Sequence, residues 1–292
     1  MSKRRNQTER EAGTVHPAAS VRWGKIFIAV MVLCIAFAMP AWAQCRVKTE
    51  GLKSGEQAEY ELSFNWKFVW LTAGKAALQF DKTTYNDQPA YRLSLLAVGN
   101  KTSDAIFKLR DTLTSYVSEY LEPLYYRKGA EEGKSYRVDE AYFSYIDGVS
   151  HVKQIRNNKG KVTEYENSDS RCIYDMLSVL AWARVMDTSN LQKGDKIQIP
   201  VATGRRVDEL ALIYEGKGEF KAENKVKYRC LKFSLTGKDK NGKDKNVMVF
   251  NITDDKNRLP VRIDLGLNFG AAQASLKKTT GNSYPFTSIV ED

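Results

Sequence analysis

The stretch AEYELSFNWKFVW, residues 58–70, decides the fold class of this chain. Its apolar side chains fall on every second position, and polar or charged residues occupy most of the positions between them. Because successive side chains of a β-strand point to opposite faces of the sheet, this alternation predicts a long strand with one buried face. Thr72-Ala73-Gly74 is predicted to end the strand, and residues 76–80 to return as a second one.

Short strands continue along the rest of the chain. Turns rich in Gly, Asn and Asp separate them, such as Asn157-Asn158-Lys159-Gly160. No repeated alternation of strand and helix is present, and that alternation would be typical of a parallel sheet. The pattern therefore favours antiparallel strands joined by tight turns.

One helix is predicted in the middle of the chain. Asp169 or Ser170 is its expected N-cap, and it is expected to end near Asp187. Apolar residues recur at helical spacing between these limits, at Ile173, Met176, Leu177, Leu180 and Ala181. Such a stripe is typical of an amphipathic helix that packs on a core. The predicted fold is all-β and mainly antiparallel, a curved sheet forming an open barrel or a sandwich, with one central amphipathic helix.

The N-terminal segment has the three parts of a secretory signal peptide. Arg22 and Lys25 precede an uncharged run, residues 26–39, and Ala41-Trp42-Ala43 follows with small residues at its first and third positions. The run is shorter than the roughly 20 residues that a membrane-spanning helix needs. We therefore expect residues 1–43 to be removed and the product to be periplasmic, free or associated with the outer membrane, with no transmembrane anchor.

Alternatives stay open at this end of the chain. Cys45 lies just past the expected cleavage site, as the lipidated cysteine of a lipoprotein does, although Gln44 before it is not the usual small residue. A lipoprotein is therefore the minor alternative. The polar residues 1–20 make the leader long, which a true start nearer Val21 would explain. Beyond the leader we expect one β-rich domain, residues 44–278, and a loose tail, residues 279–292.

Three cysteines follow the expected cleavage site and are disulfide candidates, because the periplasm is oxidising. Cys45, Cys172 and Cys230 allow one bond and one remaining thiol, in any of three pairings. A bond from Cys45 would pin the N-terminal arm to the body of the protein, and three buried thiols are the alternative. No C-x-x-C motif or Cys/His cluster is present, so no zinc or other metal site is expected.

The sequence contains no recognisable catalytic motif. His151 is the one histidine after the expected cleavage site, and no metalloprotease, serine-hydrolase or P-loop pattern is present. We therefore expect no catalytic residue and no cofactor, and favour a protein that is not an enzyme. A carboxylate-based hydrolase of envelope glycans is a further hypothesis, with Glu59 and Glu61 as one example of a pair on a strand face.

Charge and composition restrict the partners. The whole chain has a net charge of +10, but its Lys and Arg residues are scattered and form no dense block. We expect no nucleic-acid partner for an exported protein of this kind. A lipid or another component of the envelope, or a protein, is the expected partner.

The aromatic residues of the opening strand form the candidate ligand-binding surface. On a long, curved strand they would line an apolar groove. Packing in an ordinary core is the alternative, because aromatic side chains dominate the energetics of most cores. The candidate residues are Tyr60, Phe64, Trp66, Phe68 and Trp70.

A series of short motifs runs through most of the chain after the leader. It comprises Gly55-Glu56, Tyr60, Phe64-Asn65-Trp66, Ala73-Gly74, Pro89-Ala90-Tyr91, Phe107, Arg110-Asp111, Leu121-Glu122-Pro123, Tyr125-Tyr126, Tyr174-Asp175-Met176-Leu177-Ser178 and Leu259-Pro260-Val261. In order and spacing the series resembles the domain-of-unknown-function family 3108. The resemblance implies an exported envelope protein of Gram-negative bacteria with a mainly β fold. It implies no activity, cofactor or catalytic residue.

Three hypotheses about function follow from these features. The first is a periplasmic protein that binds an apolar or amphiphilic envelope component, or a protein partner, on a curved sheet. The second is a structural or assembly factor of the envelope whose aromatic residues all belong to the core. The third is the carboxylate-based glycan hydrolase.

Overall fold

The computed structural model describes residues 45–66, 69–105, 108–239, 241–267 and 270–291. The expected signal peptide, residues 1–43, lies outside the described residues, and so does Phe68. Within the described ranges, no helix is long and apolar enough to cross a membrane.

In the described ranges, fourteen strands form a single antiparallel sheet, and two helices lie between them in the chain. The helices are α1 (Lys101–Asp104) and α2 (Met176–Val185). The strands are β1 (Glu56–Trp66), β2 (Val69–Tyr85), β3 (Gln88–Gly99), β4 (Leu109–Ser118), β5 (Pro123–Glu132), β6 (Ser135–Ile146), β7 (Val149–Asn158), β8 (Lys161–Asp169), β9 (Lys196–Ala202), β10 (Val207–Lys221), β11 (Lys227–Lys238), β12 (Asp244–Thr253), β13 (Pro260–Leu267) and β14 (Gly270–Thr280).

The strand order shows two up-and-down series joined side by side. Strands β1 to β8 pair in sequence, strands β9 to β14 pair in sequence, and β1 also pairs with β14. The sheet is a nearly closed, barrel-like structure whose two edges are β8 and β9. The predicted all-β, mainly antiparallel fold is confirmed, as one curved sheet.

Side-chain contacts link the part of the chain near edge strand β8 to the part near edge strand β9. The backbone amide of Gly204 donates to Gln154 Oε1 at 2.7 Å. The guanidinium group of Arg171 binds both carboxylate oxygens of Glu209, at 2.8 and 2.7 Å. Because Gln154 lies on β7 and Glu209 on β10, these side chains bridge between the two series of strands.

The prediction of one strand from Ala58 to Trp70 is wrong in its second half. β1 ends at Trp66, and β2 begins at Val69 and pairs back along it, with Val69 opposite Trp66. The predicted terminator, Thr72-Ala73-Gly74, lies inside β2. The apolar alternation does not mark the reversal, because both arms of this hairpin continue the same period of two.

The β1–β2 pairing contains one irregularity. Leu62 lies opposite Gly74 and Ser63 opposite Thr72, so Ala73 is an extra residue on β2. A β-bulge of this kind bends the strand locally. A Cβ atom on Gly74 would lie 2.1 Å from the carbonyl oxygen of Val98 on β3, so only glycine fits this close approach of two strands.

Helix α2 is buried on most of its sides. It packs against β3, β4 and β9, and its buried residues are Leu177, Ser178, Val179, Leu180, Ala181, Ala183 and Arg184. Its N-cap is Asp175, whose side chain accepts hydrogen bonds from the backbone amides of Leu177 and Ser178. The predicted caps, Asp169 and Ser170, are wrong, because the carboxylate of Asp169 binds Arg171 instead.

Two long-range links hold the segment that carries α2. A disulfide bond joins Cys45 to Cys172 with a Cα–Cα distance of 5.1 Å, and it leaves Cys230 as a free, buried thiol. At the other end of the helix, Arg184 forms an ion pair with Glu56 of β1. The N-terminal arm and the helix are therefore both fixed to the body of the protein.

The C-terminal segment differs from the predicted loose tail. β14 extends to Thr280, and Asn257 exchanges two hydrogen bonds with the backbone of Tyr284, each of 2.9 Å. The side chain of Ser288 is buried and donates to Asp255 Oδ2 at 2.6 Å. Within the described residues, the tail is held by hydrogen bonds that the polar composition of the segment did not predict.

Candidate functional site

The aromatic residues proposed from the sequence do not form one surface. Tyr60 is fully buried, and its hydroxyl donates to the carbonyl oxygen of Pro260 at 2.9 Å. We call the sheet face that carries Tyr60 the inner face. Phe64 lies on this face and is half-buried, whereas Trp70 is opposite Asn65, faces the other way and is 45% exposed. Trp66 ends β1, and Phe68 lies outside the described residues.

A row of apolar side chains crosses the inner face near the end of β1. Each member lies directly opposite the next on the neighbouring strand, from β2 to β12. We call it the apolar row, and its members are Leu71, Phe64, Ala272, Leu265 and Met248.

The apolar row combines an inner-face position with exposure to solvent. Leu71 is 37% exposed and Leu265 is 36% exposed, and the other three members are half-buried. The row continues directly into the core, because the next residue across the sheet from Met248 is the fully buried Leu235. Apolar side chains exposed together in this way mark a surface that can bind another apolar group.

The inner face changes from apolar to charged on the neighbouring strands. Tyr60 lies opposite Ala76, Ala76 opposite Ala97, and Ala97 opposite Asp111 of β4, so Asp111 shares the inner face with Tyr60. Asp111 is the first member of a group that we call the charged network, which consists of Asp111, Lys128, Glu132, Arg137, Asp139 and Arg156.

The apolar row and the charged network lie toward the same end of the sheet. Neighbouring strands alternate in direction, so the end of β1, the start of β2 and the start of β4 share one end. Phe64 lies close to the end of β1, and Asp111 lies close to the start of β4. This end of the inner face therefore presents an apolar side and a charged side.

Lys128 links the two acidic side chains of the charged network. Its Nζ lies 3.1 Å from Asp111 Oδ2 and 2.9 Å from Glu132 Oε1. Burial raises the pKa of Asp111, and the positive charge of Lys128 opposes this effect. Burial also acts to raise the pKa of Glu132, but attraction to Lys128 outweighs it and the pKa is lowered. The charged form is therefore less favourable for Asp111 than for Glu132.

Two arginines share the third carboxylate of the network. Arg156 binds Asp139 through Nε and Nη2, and it also reaches the carbonyl oxygen of Thr203 at 3.3 Å. Arg137 contacts the same carboxylate through Nε at 3.0 Å. Because Lys128 lies directly opposite Asp139 in the β5–β6 pairing, the acidic and basic parts of the network are immediate neighbours.

The charged network was not predicted from the sequence. In Ser135-Tyr136-Arg137-Val138-Asp139 the charged residues alternate with apolar ones, so a period of two would assign Arg137 and Asp139 to the solvent face, opposite to the inner-face positions that they have. The one available signal was the Arg110-Asp111 motif. The carboxylate pair suggested from the sequence faces outward instead, and Glu61 is held there by Thr72 and Lys277.

The remaining candidate residues have structural positions. Cys45 and Cys172 form the disulfide bond, and Cys230 is buried beside Tyr228, toward whose carbonyl oxygen its thiol points at 3.5 Å. In the described part of the chain, no group of three or more His, Cys, Asp or Glu residues could hold a metal ion.

Comparison with known proteins gives one similar solved structure and a family. The chain is similar to the crystal structure of a β-barrel-like protein of the domain of unknown function DUF1849 from Brucella abortus, with 11% identity and a TM-score of 0.49 over 81% of this chain and 98% of that chain. No curated protein matches the sequence. The family model of DUF3108, a protein of unknown function, matches residues 59–277, and the chain therefore belongs to this family.

Proposed function

We propose that this protein is an exported envelope protein that binds the acyl chain of an amphiphile on the apolar row, without catalysing a reaction. The observation that carries the proposal is the exposure of Leu71 and Leu265 on the face that carries the core. Inner-face apolar side chains are ordinarily covered, so their exposure at one end favours a ligand that covers them.

The neighbouring charges favour an amphiphile over a wholly apolar ligand. A hydrocarbon chain on the apolar row would place its polar end at the same end of the sheet as Asp111 and Arg137. Sites for small ligands commonly combine a largely apolar lining with a few polar groups that fix orientation.

Two features support the proposed location in the periplasm. The N-terminal segment has the arrangement of a signal peptide. The Cys45–Cys172 disulfide bond is of the kind that forms and persists in oxidising compartments. An exported protein of this location has access to lipids and other amphiphiles of the envelope.

Displacement of a fluorescent fatty acid tests the proposal. The Leu71→Asp variant places a charge in the apolar row, and we expect it to weaken binding of the probe about tenfold or more, since loss of one buried leucine contact is worth roughly 1.5–3 kcal/mol. Leu96→Asp is the matched control, because Leu96 is 49% exposed on the opposite face of the sheet. Equal loss in both variants, or no binding by the unmodified protein, would contradict the proposal and favour a structural or assembly role.

Mass spectrometry of the protein purified from its native periplasm gives an independent test. A bound mass in the native spectrum that disappears on denaturation would identify the ligand and support binding of an amphiphile. If both spectra show only the mass of the protein itself, the result would count against a stably bound ligand. The same spectrum reports the N-terminal residue of the mature protein and any lipid attached to Cys45.

A further inference from the structure

We infer that the amphiphile's head group carries a primary ammonium group next to an anionic group, with the ammonium bound by Asp111 and the anionic group by Arg137. This inference rests on the proposed function, because it concerns the polar end of the same ligand. It names the class of head group, which the apolar row alone does not specify.

The first argument is the charge balance around Asp111. Two carboxylates, those of Asp111 and Glu132, share the single ammonium group of Lys128. Glu132 is also attracted to Arg137, whereas burial and the negative charge of Glu132 raise the pKa of Asp111, so the charge of Asp111 is the less well compensated of the two. A further cation bound beside Asp111 would stabilise its charged form in a partly buried setting, where the attraction between opposite charges is stronger than in water.

The second argument is an unpaired oxygen. Asp111 is only 8% exposed, and its Oδ1 is buried without a hydrogen-bond donor among the described residues, whereas its Oδ2 contacts Lys128. A buried acceptor without a donor is unfavourable, and most buried polar atoms in proteins have a partner. A ligand that supplies an N–H group would satisfy this oxygen.

The direct cross-strand neighbours of Asp111 have small side chains. Its direct neighbours on the adjoining strands are Ala97 on β3 and Ala130 on β5. Both carry only a methyl group, which does not extend past the carboxylate. A head group that binds Asp111 therefore need not displace a large side chain of this cross-strand row.

The third argument is the arrangement of the two arginines on β6 and β7. Arg137 and Arg156 share the carboxylate of Asp139, and Arg137 is also attracted to Glu132. Arg156 directs Nε and Nη2 to Asp139 and to Thr203. Arg137 uses only Nε for Asp139, and its two terminal nitrogens can bind a phosphate in the bidentate geometry that guanidinium groups favour.

Asp111 and Arg137 together match a zwitterion. Phosphatidylethanolamine carries a primary ammonium and a phosphate on one head group, and its ammonium has three N–H donors. Phosphatidylcholine has the same charges but no N–H group on its nitrogen, and phosphatidylglycerol has no positive charge. Comparison of the three lipids separates hydrogen bonding to Asp111 from simple attraction of charge.

The experiment measures displacement of the fluorescent fatty acid by short-chain forms of these three lipids with identical acyl chains. We expect phosphatidylethanolamine to bind the unmodified protein about tenfold more tightly than either other lipid, as for a charge-assisted hydrogen bond. Asp111→Asn should abolish this preference, so that the three lipids displace the probe equally from the variant. Asp81→Asn, which alters a carboxylate on the opposite face of β2, is the matched control and should keep the preference.

The outcomes distinguish this inference from the proposed function. Equal displacement by all three lipids would overturn the head-group assignment and leave the proposed acyl-chain site standing. Failure of the fatty acid itself to bind would overturn the proposed function. If Asp111→Asn does not fold, the preference of the unmodified protein for phosphatidylethanolamine still tests the inference. Thermal unfolding of Asp111→Asn shows whether the variant is folded and its lipid binding can be compared.

Discussion

Arg184 on α2 and Glu56 on β1 form a doubly hydrogen-bonded ion pair although they are 128 positions apart in the chain. Nη1 lies 2.6 Å from Oε1 and Nη2 lies 2.8 Å from Oε2, and both side chains are almost completely buried. The same guanidinium group also donates to the carbonyl oxygens of Asn257 and Arg258. One side chain thus connects the helix, the first strand and the connection before β13.

Arg184→Met should strongly destabilise the protein. The variant leaves Glu56 charged and buried without a partner, and removal of one member of a buried ion pair costs about 3–5 kcal/mol. The free energy of unfolding in urea measures the effect. The control is Arg206→Met, which breaks an exposed pair with Asp208 and should change the free energy of unfolding by about 0–1 kcal/mol. Similar losses in the two variants would contradict the assigned role of Arg184.

Asp175→Asn should change how stability depends on pH. Burial raises the pKa of Asp175 above its ordinary value of 3.8, against the opposing hydrogen bonds from Ser178, Ser115 and Leu177. The stability linked to this group is therefore fully present below pH 3.8 and is lost as the pH rises through the folded-state pKa. Asparagine can still cap the helix but does not titrate. The variant should gain stability relative to the unmodified protein as the pH rises.

Urea unfolding at several pH values on both sides of the ordinary carboxyl pKa measures this effect. Asp187→Asn is a control in which the pH dependence of stability should change in the opposite direction. A hydrogen bond from the backbone amide of Ser189 lowers the pKa of Asp187. The stability linked to Asp187 is present above its unfolded-state pKa and is lost as the pH falls. Parallel pH profiles for Asp175→Asn and the unmodified protein would show that burial does not perturb this carboxyl group.

Loss of the disulfide bond should lower the melting temperature. The bond joins residues 127 positions apart, and a crosslink across a loop of that length is worth roughly 4–5 kcal/mol if it acts by restricting the unfolded chain. Cys45→Ser and reduction by dithiothreitol should therefore have similar effects, and dithiothreitol should have little further effect on the variant.

Cys230 provides the control for the disulfide experiment. Burial raises the pKa of its thiol to about 12, so the reactive thiolate is scarce at neutral pH. Iodoacetamide should therefore leave the folded protein unmodified and label Cys230 only after unfolding. Rapid labelling of Cys230 in the native protein would contradict its burial, and labelling of Cys45 without reductant would contradict the Cys45–Cys172 pairing.

Gly74→Ala should destabilise the sheet, because the new Cβ atom would lie 2.1 Å from the carbonyl oxygen of Val98, a backbone atom that cannot turn aside. Gly218→Ala on β10 is a matched control, since a Cβ there meets nothing within 4 Å. We expect the control to be neutral or slightly stabilising, because alanine reduces the freedom of the unfolded chain. Equal melting temperatures of the two variants would contradict the close approach of β2 and β3.

The class of fold could be predicted from the sequence, but the limits of its elements could not. The period of two from Ala58 predicted a half-buried strand, yet it continued through the reversal between Trp66 and Val69. The cap of α2 was missed because Asp169 and Asp175 are equivalent in sequence. Only the tertiary structure shows that one binds Arg171 and the other binds Ser115.

The candidate site was predicted in part. Alternation along one strand placed Tyr60 and Phe64 on the same face. It could not show that Leu265 and Met248, about 200 positions later, belong to the same row across the inner face, because their pairing depends on β1 meeting β14. Inward-facing charges such as Asp111 cannot be recognised from hydropathy, since their burial is specific to this sheet.

The pairing of β1 with β14 has a consequence for biosynthesis. A chain that emerges from its N-terminus presents β1 long before its second neighbour exists, because that neighbour is β14, which follows all the other strands of this sheet in the chain. Until then, the free edge of β1 can accept a strand from any other chain, which is a route to aggregation. Pairing over such a separation also slows folding. Newly made copies should therefore depend on a chaperone that covers this edge until the C-terminal strand arrives.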